Sequence, residues 1–355
     1  MKILLIKFRN IGDVLLSTPL IENLKSNYPD AQIDYALNAN CSDMMTYNPN
    51  INKVFAYDRK TIKKSNLFFK IVNELSYIKK IISNRYDIVI NLTEGDRGAI
   101  IALLCKAQIK CGFRPRKGLL KHLHIYNKIG KENHSIHTID KDLQFINLLN
   151  KQVINKNVSI FWSKETQQKI TELLDKNNIK DFVHIHPVSR WMFKCWEDER
   201  MAKIIDYIQI KKNITVVITA GGEQVELARV EHILSLCKAK PINLSAQLTL
   251  KELAYLASKA KLFFGIDTAP MHIAAAVGTK VIALFGASRA DLWGPWDNHK
   301  MDNEYKNING IQKMGKNSII SNTNHEIFYE NNIKKCRGMK NIELNNIIKI
   351  IDEKI

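Results

Sequence analysis

The chain has 355 residues, 45% of them hydrophobic, enough for a sizeable buried core. Single cores rarely grow beyond roughly 250–300 residues, so two domains are expected. The 53 Lys and Arg outnumber the 35 Asp and Glu, a formal +18 spread along the chain rather than held in one Arg-rich block. Such a field favours polyanionic partners: nucleic acid, an anionic membrane face or a phosphorylated substrate. No window approaches the ~20 consecutive apolar residues that span a bilayer. The first apolar run, Ile3 to Ile6, is too short for a signal-peptide core and meets Lys7 and Arg9 at once, which predicts a cytosolic chain. The cysteines (Cys41, Cys105, Cys111, Cys195, Cys237 and Cys336) form no CxxC pair. They read as reduced structural thiols rather than a disulfide frame or a zinc site.

In chain order, residues 2–6 (KILLI) predict a strand buried on both faces. A helix from about Val14 to Asn27 follows, ended by Tyr28-Pro29, then strand Gln32–Leu37. A helix from about Leu67 to Asn84 precedes the strand Asp87–Leu92. The pattern restarts with strands Phe182–His186 and Ile214–Ala220 and helices Val225–Cys237 and Leu250–Ser258. Strand Leu262–Gly265, helix Met271–Val277 and strand Lys280–Phe285 complete it. Strands alternating with helices imply parallel sheets, so the fold class is α/β with two doubly wound lobes. Weak periodicity between about 147 and 162 marks the boundary. Residues 299–330 read as a loop or excursion, and Ile342–Ile351 as one amphipathic helix.

Three strand-to-helix loops carry the chemistry. In an open parallel sheet, ligands bind at the carboxyl ends of strands, which is where such loops lie. The first is Arg9-Asn10-Ile11-Gly12-Asp13. Gly12 allows a tight turn and close ligand approach. Asp13 opens a helix, and two readings stand for it: an N-cap, or a general base aimed at a substrate hydroxyl. The second loop, Gly265-Ile266-Asp267-Thr268-Ala269-Pro270-Met271-His272, starts a helix whose amides and positive end suit a diphosphate. His272 is there either a ligand group or a packed helix residue. The third, His186 to Trp196 (HPVSRWMFKCW), offers Ser189, Arg190 and Lys194. Taken by themselves, Arg190 and Lys194 read as solvated loop cations.

The string KFRNIGDVLLSTPLIENLK resembles the opening of the lipopolysaccharide core heptosyltransferases, glycosyltransferase family 9. The loop at Asp267 and the stretch AAAVGTKVIALFGASRADLWGPW are similar to the same family, with Ala269 where the family usually has Gly. SRWMFKCW is most similar to the branch called heptosyltransferase III, which adds a side-branch heptose. The resemblance covers most of residues 1–296. It implies the GT-B architecture, two Rossmann-like doubly wound lobes with a cleft between them. Residues 1–155 would form the acceptor-side lobe with the catalytic base, and 156–335 the nucleotide-sugar lobe. The helix in 336–355 would pack back toward the first lobe.

What the resemblance implies for function is an inverting transfer of heptose from ADP-L-glycero-D-manno-heptose to the inner core of lipopolysaccharide or lipooligosaccharide. No cofactor and no metal are expected. Asp13 would deprotonate the acceptor hydroxyl and Lys194 would stabilise the leaving diphosphate. Gly12, Ser189, Arg190, Asp267, Thr268, Ala269 and His272 would meet the donor. Glu223, after the Gly pair of TAGGE, would accept the ribose hydroxyls. Arg9 and Asn10 would face the anionic acceptor. The basic run Arg114-Pro115-Arg116-Lys117-Gly118, with Lys121 and His122, would meet that acceptor or the inner-membrane face; the plainer reading is a solvated loop.

Asp140-Lys141-Asp142 matches the DxD pattern of metal-dependent transferases, but it opens a helix and reads as capping and solvation rather than metal binding. Other function classes remain distinct. A nucleic-acid-binding protein is motivated by the +18, yet no RNA-recognition, KH or helix-turn-helix signature and no aromatic-plus-basic stripe accompanies it. A non-catalytic sugar-nucleotide-binding module is a second rival, and a family member using another nucleotide sugar is a third.

Overall fold

The computed structural model describes all residues except 65, 116–118 and 331, and leaves out the side chains of 60, 64 and 119. The chain divides into two compact units, Met1–Phe161 and Trp162–Ile355.

The first unit is built on six strands: β1 (Lys2–Lys7), β2 (Gln32–Asn38), β3 (Lys53–Tyr57), β4 (Ile88–Asn91), β5 (Ile109–Gly112) and β6 (Lys128–Ile129). Their order is β3-β2-β1-β4-β5-β6, and every neighbouring pair is parallel. The apolar run of β1 is central because Ile3, Leu4, Leu5 and Ile6 are all fully buried. Burying each such side chain stabilises the fold by roughly 1.5–3 kcal/mol. Chain order reverses at β1, between β2 and β4. That reversal makes the ends of β1 and β4 the place where a crevice opens.

The second unit repeats the plan. Its strands are β7 (Phe182–His186), β8 (Thr215–Ile218), β9 (Ile242–Asn243), β10 (Leu262–Ile266), β11 (Val281–Phe285), β12 (Gly310–Met314) and β13 (Asn317–Ser321). The order is β12-β13-β11-β10-β7-β8-β9, with only β12 antiparallel. The reversal now falls at β7, between β8 and β10. A separate hairpin pairs β14 (Ile327–Glu330) with β15 (Ile333–Cys336). Both units are therefore doubly wound α/β sheets, as the alternating pattern predicts.

Four local expectations are corrected. The single helix from Val14 to Asn27 is two, Ile11–Leu15 and Thr18–Asn27. Pro19 has no N–H to give the carbonyl of Leu15, and the Thr18 hydroxyl takes that carbonyl at 2.8 Å instead. Residues 299–330 are not simply a loop. They carry β12 and β13, joined at Gly315 with φ +54, a backbone shape suited to glycine. The Lys316 amide donates to the Asp297 carboxylate at 2.9 Å there.

The expected helix Ile342–Ile351 is present as Leu344–Lys354, preceded by a short helix Arg337–Lys340. Its apolar face lies in the second unit's own core, with Ile347, Ile350 and Ile351 fully buried beside Trp196 and Met201. Finally, the acidic DxD pair is not merely solvated. Asp142 is buried and bonded to Lys7, Asp140 pairs with Lys156 at 2.6 Å, and Lys141 pairs with Glu94 at 2.9 Å.

Candidate active site

In the first unit the loops after β1 and β4 are tied at the reversal point, the Phe8 amide donating to Thr93 Oγ1 at 2.9 Å. Asn10 has extended backbone and caps the helix Ile11–Leu15. Asp13 is the third residue of that helix, so it is not the N-cap. It closes a capping box from inside: Asp13 Oδ2 accepts from the Asn10 amide and from Asn10 Nδ2, both at 3.3 Å. Both of these bonds fall on Oδ2, and the half-buried carboxylate keeps Oδ1 for another donor. Gly12 lies within the helix rather than in a tight turn; the described glycines with positive φ are Gly278, Gly310 and Gly315.

Below this loop lies a buried ion pair. Lys7, the last residue of β1, bonds Asp142 from the helix Thr138–Leu148. Burial pushes the Asp142 carboxyl above its usual range, the Lys7 ammonium opposes that push, and the charge of Asp13 adds to it. Asp13 is thus electrostatically coupled to the pair. Among the acceptor candidates, Arg9, Asn10 and Arg114 are exposed, while Arg116 and Lys117 fall outside the described residues.

In the second unit the loops after β7 and β10 meet at the corresponding point. Lys194 Nζ lies 2.6 Å from Asp267 Oδ2 and 3.4 Å from the Asp267 carbonyl. Asp267 is buried, and its Oδ2 also accepts from the Ser288 hydroxyl, while His272 Nε2 stands 4.0 Å from Oδ1. Thr268 caps the helix Ala269–Ala276, and Pro270 falls in its first turn. The Thr268 and Ala269 amides, both half-exposed residues, therefore sit where a helix start has no intrahelical acceptors. This brings Lys194, Asp267, Thr268, Ala269 and His272 into one place, with Ser288 joining them.

Two of the donor candidates also have local structural roles. Ser189 is buried, and its hydroxyl accepts from the Trp191 amide at 3.1 Å, shaping the loop that carries Lys194. Glu223 is exposed and caps the helix Gln224–Leu236. The buried carboxylate of that corner is Glu226, which the sequence reading missed. Burial raises its pKa, the Glu223 charge adds to the rise, and backbone hydrogen bonds at Glu223 and Arg190 oppose it. A side chain at Gly221 would collide with this carboxylate. The signal for Glu226 was its place three residues after Glu223, one turn into the helix. Arg190 itself is exposed, its guanidinium 5.5 Å from the Trp191 ring.

Among the described residues, no three His, Cys, Asp or Glu side chains are grouped to hold a metal ion. The family model for glycosyltransferase family 9 (heptosyltransferase) matches residues 75–322. The chain belongs to glycosyltransferase family 9. It is 35% identical over 294 residues to lipopolysaccharide heptosyltransferase 3 of Escherichia coli K12, covering 80% of this chain and 82% of that one. A second Escherichia coli lipopolysaccharide heptosyltransferase 3 is 32% identical over 292 residues, covering 81% and 84%.

Among solved structures, the family 9 glycosyl transferase of Veillonella parvula matches with a TM-score of 0.81 at 22% identity, over 99% of this chain and 96% of that one. E. coli ADP-heptose lps heptosyltransferase II matches with a TM-score of 0.75 at 17% identity, over 99% and 98%. The fold is accordingly GT-B, and this family 9 chain is a glycosyltransferase.

Proposed function

We propose that the chain transfers a heptose from ADP-heptose to the inner core of lipopolysaccharide, as a heptosyltransferase III that adds a side branch. Its 35% identity to a lipopolysaccharide heptosyltransferase 3, over four-fifths of both chains, is the observation that carries this reading. The acceptor oxygen attacks the anomeric carbon while its proton passes to Asp13 Oδ1. The bond from that carbon to the phosphate oxygen breaks on the opposite face, its electron pair leaves with ADP, and the anomeric configuration inverts.

Lys194 neutralises charge growing on the leaving diphosphate. The Thr268 and Ala269 amides bind that diphosphate at a positive helix end. Asp267 holds Lys194 in place and, through Ser288, fixes the loop; His272 packs against it. Arg190, Ser189, Gly12 and a carboxylate at Glu223 or Glu226 complete the donor contacts. Arg9, Asn10, Arg114, Arg116 and Lys117 meet the phosphorylated acceptor. The reaction needs no metal, because Lys194 and the helix end supply the positive charge. No described helix is long and apolar enough to cross a membrane. We place the enzyme in the cytoplasm, peripheral on the inner face of the membrane that holds its acceptor.

A calorimetric donor screen followed by transfer to truncated core oligosaccharide tests the reading. ADP-heptose should bind in preference to UDP- and GDP-sugars and be consumed. Preference for another nucleotide sugar would move the enzyme to a different substrate within the family, and binding without turnover would make it a silent module.

A further inference from the structure

The helix Leu67–Ile82 packs on the first unit through one face only. Ile78 and Ile81 enter the core, and Glu74 is clamped by Arg97 at 2.8 Å and by the Tyr57 hydroxyl. Asn66 caps its start by accepting from the Phe69 amide. The N-terminal half of the helix leaves Leu67, Phe68, Phe69, Ile71, Val72 and Leu75 exposed. Leu67 is 72% exposed, Phe68 71% and Leu75 62%. None of these side chains belongs to the core that Ile78 and Ile81 enter. A contiguous exposed apolar patch of this kind marks a surface made for a partner.

Charge identifies the partner. Arg59 and Lys63, on the helix just before, and Lys79 and Lys80, at the far end, are exposed cations flanking the apolar face. The single carboxylate on the helix, Glu74, is already paired with Arg97. Apolar side chains bordered by cations match the acyl boundary and headgroups of an anionic bilayer. A second copy fits less well, because an isologous pairing would set these cations against one another. We infer that the outward face of Leu67–Ile82 docks this enzyme on an anionic lipid surface, the helix lying in the plane of the headgroups. The inference rests on the lipid-linked acceptor proposed above.

Flotation of the full chain with vesicles of phosphatidylethanolamine and phosphatidylglycerol tests it. The wild type should float with these vesicles, less so as salt rises, and should bind phosphatidylcholine vesicles weakly. The triple variant Phe68→Gln, Ile71→Gln, Leu75→Gln should lose about tenfold or more of this binding while keeping its melting curve and its turnover on lipid-free core oligosaccharide. Lys79→Gln with Lys80→Gln should lose the preference for anionic vesicles. A wild type that stays in solution, or a triple variant that floats equally well, overturns the surface. So does light scattering that shows a wild-type dimer broken by the triple variant without any vesicle binding. If the wild type floats as described but transfers nothing to core oligosaccharide, the reaction reading fails and the surface stands.

Discussion

The Lys194 ammonium lies 2.6 Å from the Asp267 carboxylate, one residue from the loop after β7 and the other from the loop after β10. Those strands flank the point where the second sheet reverses. In the proposed reaction, a cation held there is positioned before the donor arrives, so little reorganisation remains for the transition state.

Lys194→Ala should weaken ADP binding and lower turnover together, with kcat falling by about 10²–10³. It also leaves the buried Asp267 charge unpaired, so stability should drop as well. Asp267→Asn, which removes that charge, should lower kcat with less loss of stability. Calorimetry with ADP, single-turnover rates and thermal melts separate these effects. Unchanged ADP affinity and rate in Lys194→Ala would remove Lys194 from the site.

The pair Lys7–Asp142 predicts a non-additive stability pattern. Lys7→Met alone should cost about 3–5 kcal/mol by stranding a buried carboxylate. Adding Asp142→Leu should recover most of that loss, because two apolar side chains replace two charges. Urea unfolding of both variants reads this directly, and additive losses would contradict it.

His184 and His186 predict acid sensitivity. They share the Thr219 hydroxyl, at 2.7 and 2.9 Å. That hydroxyl has one proton to give, so at least one imidazole donates to it. Burial holds His184 down to about 3, with His186 adding to the depression, and holds His186 down to about 4. An unfolded imidazole titrates near ~6.5. Below that pH the unfolded chain takes up protons that the folded chain refuses, so stability is full above ~6.5 and falls as pH drops toward these values. The slope approaches about 1.4 kcal/mol per pH unit for each histidine. His186→Asn should flatten the melting temperature between about pH 6.5 and 5; an unaltered slope would refute the assignment.

Chelation supplies another check. Transfer should proceed at an unchanged rate in excess EDTA, since in the proposed reaction Lys194 and the helix start at Thr268 carry the positive charge. A rate lost to EDTA and restored by Mg²⁺ would contradict that division of labour.

The strands legible in the sequence were those buried on both faces. KILLI and KVIALF contain continuous apolar runs, and FVHIH is apolar apart from its two histidines, because helices cover both sides of each sheet. Edge strands were missed, since β6 and β9 have two residues each and β12 alternates with polar residues, and so was the buried β13, whose apolar pair is flanked by Asn and Ser. Asp13 and Asp267 stood out because strand, loop and helix start lie consecutively in sequence. Glu226 and the Lys7–Asp142 pair were hidden for the opposite reason. Lys7 and Asp142 are 135 residues apart, and the spacing of Glu226 from Glu223 says nothing of the burial that sets its role.

The most direct test of the account is the transfer rate of Asp13→Ala with ADP-heptose and truncated core acceptor, measured beside its donor affinity. A base acts in the transition state, so transfer should be abolished while ADP-heptose affinity stays nearly unchanged. A variant that keeps more than about a tenth of wild-type turnover, roughly 1.4 kcal/mol of barrier, would show that another group takes the proton.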